Sequence, residues 1–382
     1  GVPGFTGSMT NGQLLIGSTG ASPTLGTITA GAGISVTNAA GSITITNLEG
    51  GTGNPNLLIN GDFQIWQRGA GGSAVIAQAA SVTGYTADRW QLLTNANQAS
   101  TITQTAGTTS GRFTAAVQRN NGQTGTGVMR FCTSLTRDMC VGAAGNPVTI
   151  TFSAQSGANF SPTSGNITVT VYSGTGSTDK SGINGAFTGS ATPISQVQAI
   201  TNVMTQYTFT SAALGSTVTQ LAVEFSWTPT GTAGVADTVT FKDVKLEIGS
   251  SSTAFMYPSF SQELNACQYF YWKTFAYGTA PAQSSGTNTG VIQYRSQIAS
   301  TTDGWIVYVP LPFPMRTNAT PTTYNPAAAN ANWRNITAAA DSGVPTITQN
   351  SEKAFGLFNP QVAGDAAGQS IVIHASIDAD LT

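Results

Sequence analysis

Apolar residues along this chain recur at every second position far more often than at every third or fourth. The runs VTITFSA (148–154), ITVTVYS (167–173), TQYTFTS (205–211) and LAVEFSW (221–227) are short and are separated by Gly, Ser, Asn and Pro. Alternation with period two divides a strand into two faces, and many short strands with turn signals predict a sandwich or barrel. One run changes phase: in VTFKDVKLEI (239–248), Val239 and Phe241 share one parity and Val244, Leu246 and Ile248 the other. A β-bulge at Lys242–Asp243 keeps both sets on the core side and predicts a strand inside a sheet, not at its edge.

The first fifty residues alternate more thinly. Ile34 and Val36, then Ile43 and Ile45, are interleaved with Ser and Thr around the turn signal TNAAG. Two apolar residues per strand cannot hold a lone hairpin together in water. A trimeric β-stem is therefore predicted at 1–53, three copies burying these residues against one another. GGTGNPN (50–56) is apolar-free and reads as a linker, and a jelly-roll sandwich is predicted for 54–250.

PSFSQELNACQYFY then carries the clearest helical signal. Ser259 and Gln262 match a capping box behind Pro258, and Phe260, Leu264, Cys267 and Tyr271 fall on one stripe. A helix at 259–272 opens a third region, 256–382, whose runs GVIQYRSQIAS, WIVYVPLPFPM, PTITQ and SIVIHASIDADL read as strands of a β-sandwich tip. The prolines of VYVPLPFPM forbid a central strand and predict an edge or an extended crossover. The fold class is thus all-β: a trimeric stem, a jelly-roll sandwich, and a β-sandwich tip preceded by one short helix.

Composition narrows the function. With 382 residues the chain can form two or three domains. Charged residues make up 8%, against about 25% in typical soluble domains, and Thr, Ser, Asn and Gln supply the polarity instead. Fourteen Lys and Arg spread over the chain without a basic cluster, for a net charge of −2, argue against a nucleic-acid surface, and no nucleic-acid partner is expected. No apolar run approaches the ~20 residues of a membrane helix, so no membrane insertion is expected. GVPGFTGSM has neither the basic nor the apolar part of a secretion signal; lacking an initiator Met, it is expected to lie inside a longer gene product.

The inventory for catalysis is thin. Cys132, Cys140 and Cys267 lack metal-ligand spacing and read as inert thiols of a protein folded in a reducing cytoplasm, although Cys132 and Cys140, flanking SLTRDM, could approach across a hairpin. His374 is the single His; in SIVIHASI it reads as a strand residue at a surface or interface, with no nucleophile motif beside it. Asp378 and Asp380 share one face and read as a solvated edge unless counter-charged. No phosphate-cradling loop opens a helix, no cofactor is expected, and calcium on loop oxygens is left unspecified. The chain is accordingly read as no enzyme.

Aromatic surface remains. Trp272, Tyr277, Trp305, Tyr324 and Trp333 fall in the last region, and large aromatics are mostly core. Trp305 begins an apolar run and reads as core. Tyr324 and Trp333 flank the polar loop NPAAANAN, so Tyr324, Asn325, Asn332 and Trp333 are the candidate glycan contacts, rings stacking on sugar C–H faces and amides bonding hydroxyls.

Several segments also resemble a known family. GAGISVTNAAGSITI is similar to the shaft-and-neck repeats of tailed-phage fibres. NLLINGDFQIWQRG, YTADRW and FKDVKLEIGSSSTAFMYPSFSQELNACQYFYWK resemble a tail-fibre or virion-appendage family, in which a jelly-roll like those of carbohydrate-binding modules ends in a "DVxLE" strand followed by an "EL..CqrYY" helix. WIVYVPLPFPMRTNATPTTYN and ASIDADLT continue the match; the departure is Gln268, Tyr269, Phe270, Tyr271 where the family has Arg-Tyr-Tyr. The resemblance implies a homotrimeric virion protein, assembled in the bacterial cytoplasm. Its stem would contact other tail or neck proteins, and its distal knob would adhere to host surface polysaccharide. The alternatives are a structural neck fibre or capsid decoration without ligand, and a virion depolymerase releasing reducing ends from host glycan.

Overall fold

Thr, Val and Ile dominate the alternating runs, and β-branched side chains pack well on a pleated surface. The runs become strands in the computed structural model, which describes residues 9–30, 34–47, 55–69, 75–79, 82–95, 98–106, 113–286, 290–297, 304–362 and 364–382. Residues 1–8, the linker positions 50–54, and 298–300 of the GVIQYRSQIAS run lie outside the described residues. The chain divides into two units, Gly1–Pro55 and Asn56–Thr382.

The first unit contains two antiparallel hairpins, β1 (Gln13–Ser18) with β2 (Ala21–Thr27) and β3 (Ile34–Ala39) with β4 (Ser42–Asn47). Val36 faces Ile45 across the second hairpin, whose turn carries Gly41 at φ 72°. Leu14, Leu15, Ile16 and Ile45 remain 41, 54, 46 and 57% exposed, so a single copy leaves these four apolar side chains largely in water.

Twelve strands build the sandwich of the second unit: β5 (Val75–Gln78), β6 (Thr83–Tyr85), β7 (Trp90–Leu93), β8 (Ser100–Ala106), β9 (Phe113–Arg119), β10 (Met129–Ser134), β11 (Val148–Ser156), β12 (Asn166–Gly174), β13 (Ala191–Ala199), β14 (Thr205–Thr210), β15 (Gln220–Trp227) and β16 (Thr238–Ile248). They form two six-stranded antiparallel sheets, ordered β13-β12-β15-β10-β7-β6 and β14-β11-β16-β9-β8-β5. Between them Trp90, Phe131, Phe225 and Phe241 are fully buried, with Trp90 and Phe131 centroids 4.8 Å apart and Phe225 and Phe241 4.4 Å apart. Truncating one such ring costs roughly 3–5 kcal/mol.

The phase change is a bulge in an interior strand. β16 lies between β11 and β9, and its register against β11 slips between Lys245 opposite Thr151 and Lys242 opposite Ser153. Asp243 adopts φ 51° there, and Val244 and Leu246 return to the core. The outward Lys245 and Glu247 pair at 3.0 Å and are buried by the following segment, where Thr253 donates its N–H and hydroxyl to Glu247 at 2.8 and 2.6 Å.

A single helical turn, α1 (Arg137–Cys140), carries Cys140; all three cysteines are free and buried, and the 132–140 approach is not a disulfide. Helix α2 (Phe260–Gln268) has the complete Ser259–Gln262 capping box. It stops before the expected residue 272 because β17 (Tyr271–Lys273) pairs with β25 (Ser370–Asp378). Of the predicted stripe Cys267 is buried and Leu264 half-buried, but Phe260 is exposed and Glu263 is buried beside them. The turn below the helix presents the Asn60 N–H, and Glu263 supplies its acceptor.

The remaining strands are β18 (Ile292–Arg295), β19 (Gly304–Pro310), β20 (Thr322–Tyr324), β21 (Arg334–Asn335), β22 (Ala340–Asp341), β23 (Thr346–Thr348) and β24 (Ala354–Pro360). β25 is the hub of one sheet, pairing with β17, β18, β20 and β21; β19-β24-β23 form a second, with β19 at its edge, where the proline-rich run begins. A separate core of Phe355, Leu357, Ile371, Ile373 and Trp333 lies between them.

Two readings of β25 and the residues after it are corrected. His374 is 1% exposed, not at a surface: Phe275 stacks on it at 4.0 Å, the Thr274 hydroxyl lies 2.9 Å from its Nδ1, and burial holds its pKa below the usual value. Asp380 is buried and counter-charged. It pairs with Arg68 at 2.8 Å and with Arg89, whose guanidinium lies 3.5 Å from the Phe270 ring centroid. Asp378 stays half-exposed and also pairs with Arg68, at 2.9 Å. The Lys273 ammonium donates to the carbonyls of Gln67, Tyr277 and Thr279, and burial lowers its pKa to about 8. These contacts join the sandwich and the C-terminal sheets, which sequence separates at 250–256, within one unit.

Candidate functional site

The predicted glycan contacts are largely occupied by the fold itself. Trp333 is 0% exposed, packed edge-on against Tyr294 at 5.4 Å, so its ring has no face for a sugar. Asn325 is also 0% exposed: its amide donates to Asn330 at 2.8 Å and Asp341 at 2.9 Å, and its carbonyl accepts the Ala327 N–H. Asn325 therefore shapes the NPAAANAN loop, and both residues are corrected from contacts to structural parts. The Asn330 amide, which donates to Asp341 at 2.7 Å, then the Asn325 amide and the Arg334 guanidinium, hold the Asp341 carboxyl below its usual pKa. Tyr324 and Asn332 are half-buried, and the Tyr324 hydroxyl lies 3.0 Å from that of Ser376. Trp305, read as core, is also half-buried.

The outer face of the β12-β15-β10 sheet offers more. Direct cross-strand partners share a face, so Thr168, Ser226 and Arg130 form one row across these strands. The segments at Pro162–Thr163 and Thr228–Thr230 border that row, and together they line an open cleft of about 410 Å³. Trp227, 5% exposed, contributes an edge of the wall while its ring packs into the core. Among the described residues, the side chains of Asn166, Thr168, Ser226 and Thr228 hydrogen-bond to no protein group, in contrast to the Asn325 loop.

The next row closes the floor. Glu224 faces Thr170 and Cys132 and is 0% exposed. Its Oε1 accepts from Arg130 at 2.7 Å and from the Tyr172 hydroxyl at 3.4 Å, and its Oε2 from the Asn184 N–H at 2.6 Å. Asn184 reaches it because residues 175–190 fold over this half of the face, packing Phe187 against Cys132 and Ala222. A Cβ on Gly182 would lie 2.4 Å from the Phe187 ring, so the covering segment needs glycine there. Burial, with Glu224 beside it, pushes the Cys132 thiol well above its usual pKa and leaves it unreactive.

In chemical terms the cleft is a row of hydroxyls and an amide next to a guanidinium that a buried carboxylate holds in place. It can bond a polyhydroxylated ligand. Sequence reasoning missed it because Thr168, Ser226 and Arg130 belong to three strands; the only local signal was the acidic residue interrupting the apolar run LAVEFSW.

No family model and no curated protein matches the chain. Among solved structures, the chain is similar to one titled "CBM4 structure and function", with 15% identity over 50% of this chain and 97% of that one, TM-score 0.30. A cyclase from Fischerella sp. TAU in complex with 4-(1H-indol-3-yl)butan-2-one shares 14% over 51% of this chain and 96% of its own, TM-score 0.31. The enzymatically active domain of bacteriophage CBA120 tailspike protein 4 shares 10% over 50% of this chain but only 21% of its own, TM-score 0.29.

Proposed function

We propose that the protein is a non-enzymatic glycan-binding appendage of a tailed-phage virion, homotrimeric through its N-terminal hairpins, attaching the particle to host surface polysaccharide. The observation that carries the reading is the cleft on the β12-β15-β10 face, where the Asn166, Thr168, Ser226 and Thr228 side chains hydrogen-bond to no group among the described residues. A chain with only 8% charged residues suits ligands recognised by hydrogen bonds. The cleft's neighbouring carboxylate, Glu224, is committed to Arg130 and Asn184, whereas glycoside hydrolysis calls for two carboxyl groups flanking the bond. The exposed Leu14, Leu15, Ile16 and Ile45 favour association of copies. Three sites on one assembly raise avidity about 10²-fold or more over one. The stem would face other tail or neck proteins.

The experiment is adsorption competition. Purified protein at saturating concentration should block virus attachment to host cells, and the Thr168→Val, Ser226→Ala double variant should block it poorly. Absence of binding to cells or their extracted polysaccharide would overturn the reading. It would favour a structural place on the neck or capsid, which the buried ion pairs bracing residues 56–382 would equally suit.

A further inference from the structure

Among the described residues Arg130 is the one charged side chain lining the cleft, and it has a donor left over. A guanidinium carries five N–H groups. Nη1 is bound to Glu224 and Nε is buried without a hydrogen-bond partner, so among the described residues Nη2 is the nitrogen left for a ligand. Glu224 has both oxygens filled, by Arg130, Tyr172 and Asn184, and is sealed from solvent. The two charges are thus placed asymmetrically: the cation borders the cleft, 18% exposed, and the anion lies beneath the covering segment. A ligand in the cleft meets positive charge first, with unfilled donors, and beside it the Asn166, Thr168 and Ser226 side chains.

We infer that the cleft selects an acidic glycan, one whose carboxylate or phosphate group meets Arg130 while its hydroxyls meet the Thr, Ser and Asn side chains. The inference rests on the glycan-binding reading above and adds the class of sugar. A planar guanidinium matches an oxyanion through two parallel hydrogen bonds, which a neutral hydroxyl cannot reproduce. Glu224 then acts as a positioning residue: it fixes the guanidinium and also weakens its field at the ligand.

The test uses the full chain on an array of acidic bacterial polysaccharides in three forms: native, carboxyl-reduced, and dephosphorylated. Binding to native polymer should exceed binding to one treated form by about tenfold or more, the scale of a charge-assisted contact, and which treatment matters identifies the oxyanion. Glu224→Gln, which keeps Arg130 and removes its counter-charge, should tighten binding to the native polymer severalfold. Arg130→Gln alone would strand a buried carboxylate, so the loss variant is Arg130→Gln with Glu224→Gln. It should keep a wild-type thermal midpoint within a few degrees and bind native and treated polymers alike. Native binding that survives both treatments, or a double variant that still prefers native polymer, overturns the inference and leaves glycan binding standing. If no polysaccharide in any form is bound, the glycan-binding reading itself fails and this inference with it.

Discussion

Replacing Asp380 with Asn tests how the second unit is held together. The side chain is 1% exposed and bridges Arg68 at 2.8 Å and Arg89, itself 3% exposed. Asn has the same size and can accept a hydrogen bond, but it brings no charge. Arg89 would then keep the Ser134 carbonyl, at 2.6 Å, the Phe270 ring and a neutral acceptor at position 380, but no counter-charge there. Charges about 4 Å apart at an effective dielectric of about 20 attract by about 4 kcal/mol, and stranding one partner of a buried pair typically costs about 3–5 kcal/mol. Asp380→Asn should therefore lose about 3–5 kcal/mol in urea unfolding followed by tryptophan fluorescence. Arg89→Met tests the cause. Combined with Asp380→Asn it leaves no stranded charge at that contact, so the double variant should be less destabilised than the sum of the singles by about 1–3 kcal/mol. A single-variant loss under about 0.5 kcal/mol, or strict additivity, would refute the reasoning and return Asp380 to the solvated edge its sequence context suggests.

Three other outcomes are expected. Burial raises the folded-state pKa of Glu263 to about 7, so the unfolded chain releases this proton first, and the group's contribution lowers stability as pH rises from about 4.5 to about 7. Relative to wild type, Glu263→Gln should be equal near pH 4 and more stable near pH 8, by on the order of 3 kcal/mol; equal melting curves at both pH values would contradict this. Ser259→Ala removes the hydroxyl that accepts the Gln262 N–H and should cost about 1 kcal/mol by chemical denaturation, while Ser261→Ala, outside the cap position, should cost less. Leu15→Ser with Ile45→Ser should shift sedimentation velocity from trimer to monomer; a monomeric wild type at micromolar concentration would contradict the stem.

The legible parts of the fold were the local ones. Val148–Ser156, Asn166–Gly174 and Gln220–Trp227 are strands where period two placed them. The parity change at Lys242–Asp243 is a bulge, and Ser259 with Gln262 is a capping box. Each depends on residues a few positions apart, whose spacing sets which side chains share a face or reach one N–H. Period two also separated inward from outward on β15, but not what lies over each face. Glu224 sits at an outward position and is nonetheless fully buried, because residues 175–190 fold across it.

Alternation, capping and turn residues in the sequence alone determined an all-β chain, the strands of its clearest alternating runs, and the start of the helix that follows β16. Tertiary structure decided which polar residues are free to bind. Arg89 meets Asp380 across 291 positions and Arg130 meets Glu224 across 94, separations that no local pattern reports. The same long-range packing buries Trp333 and Asn325 and, among the described residues, leaves Thr168 and Ser226 without a side-chain hydrogen bond at the cleft. A side chain's type limits the bonds it can form, but only the folded neighbours determine whether those bonds are already made.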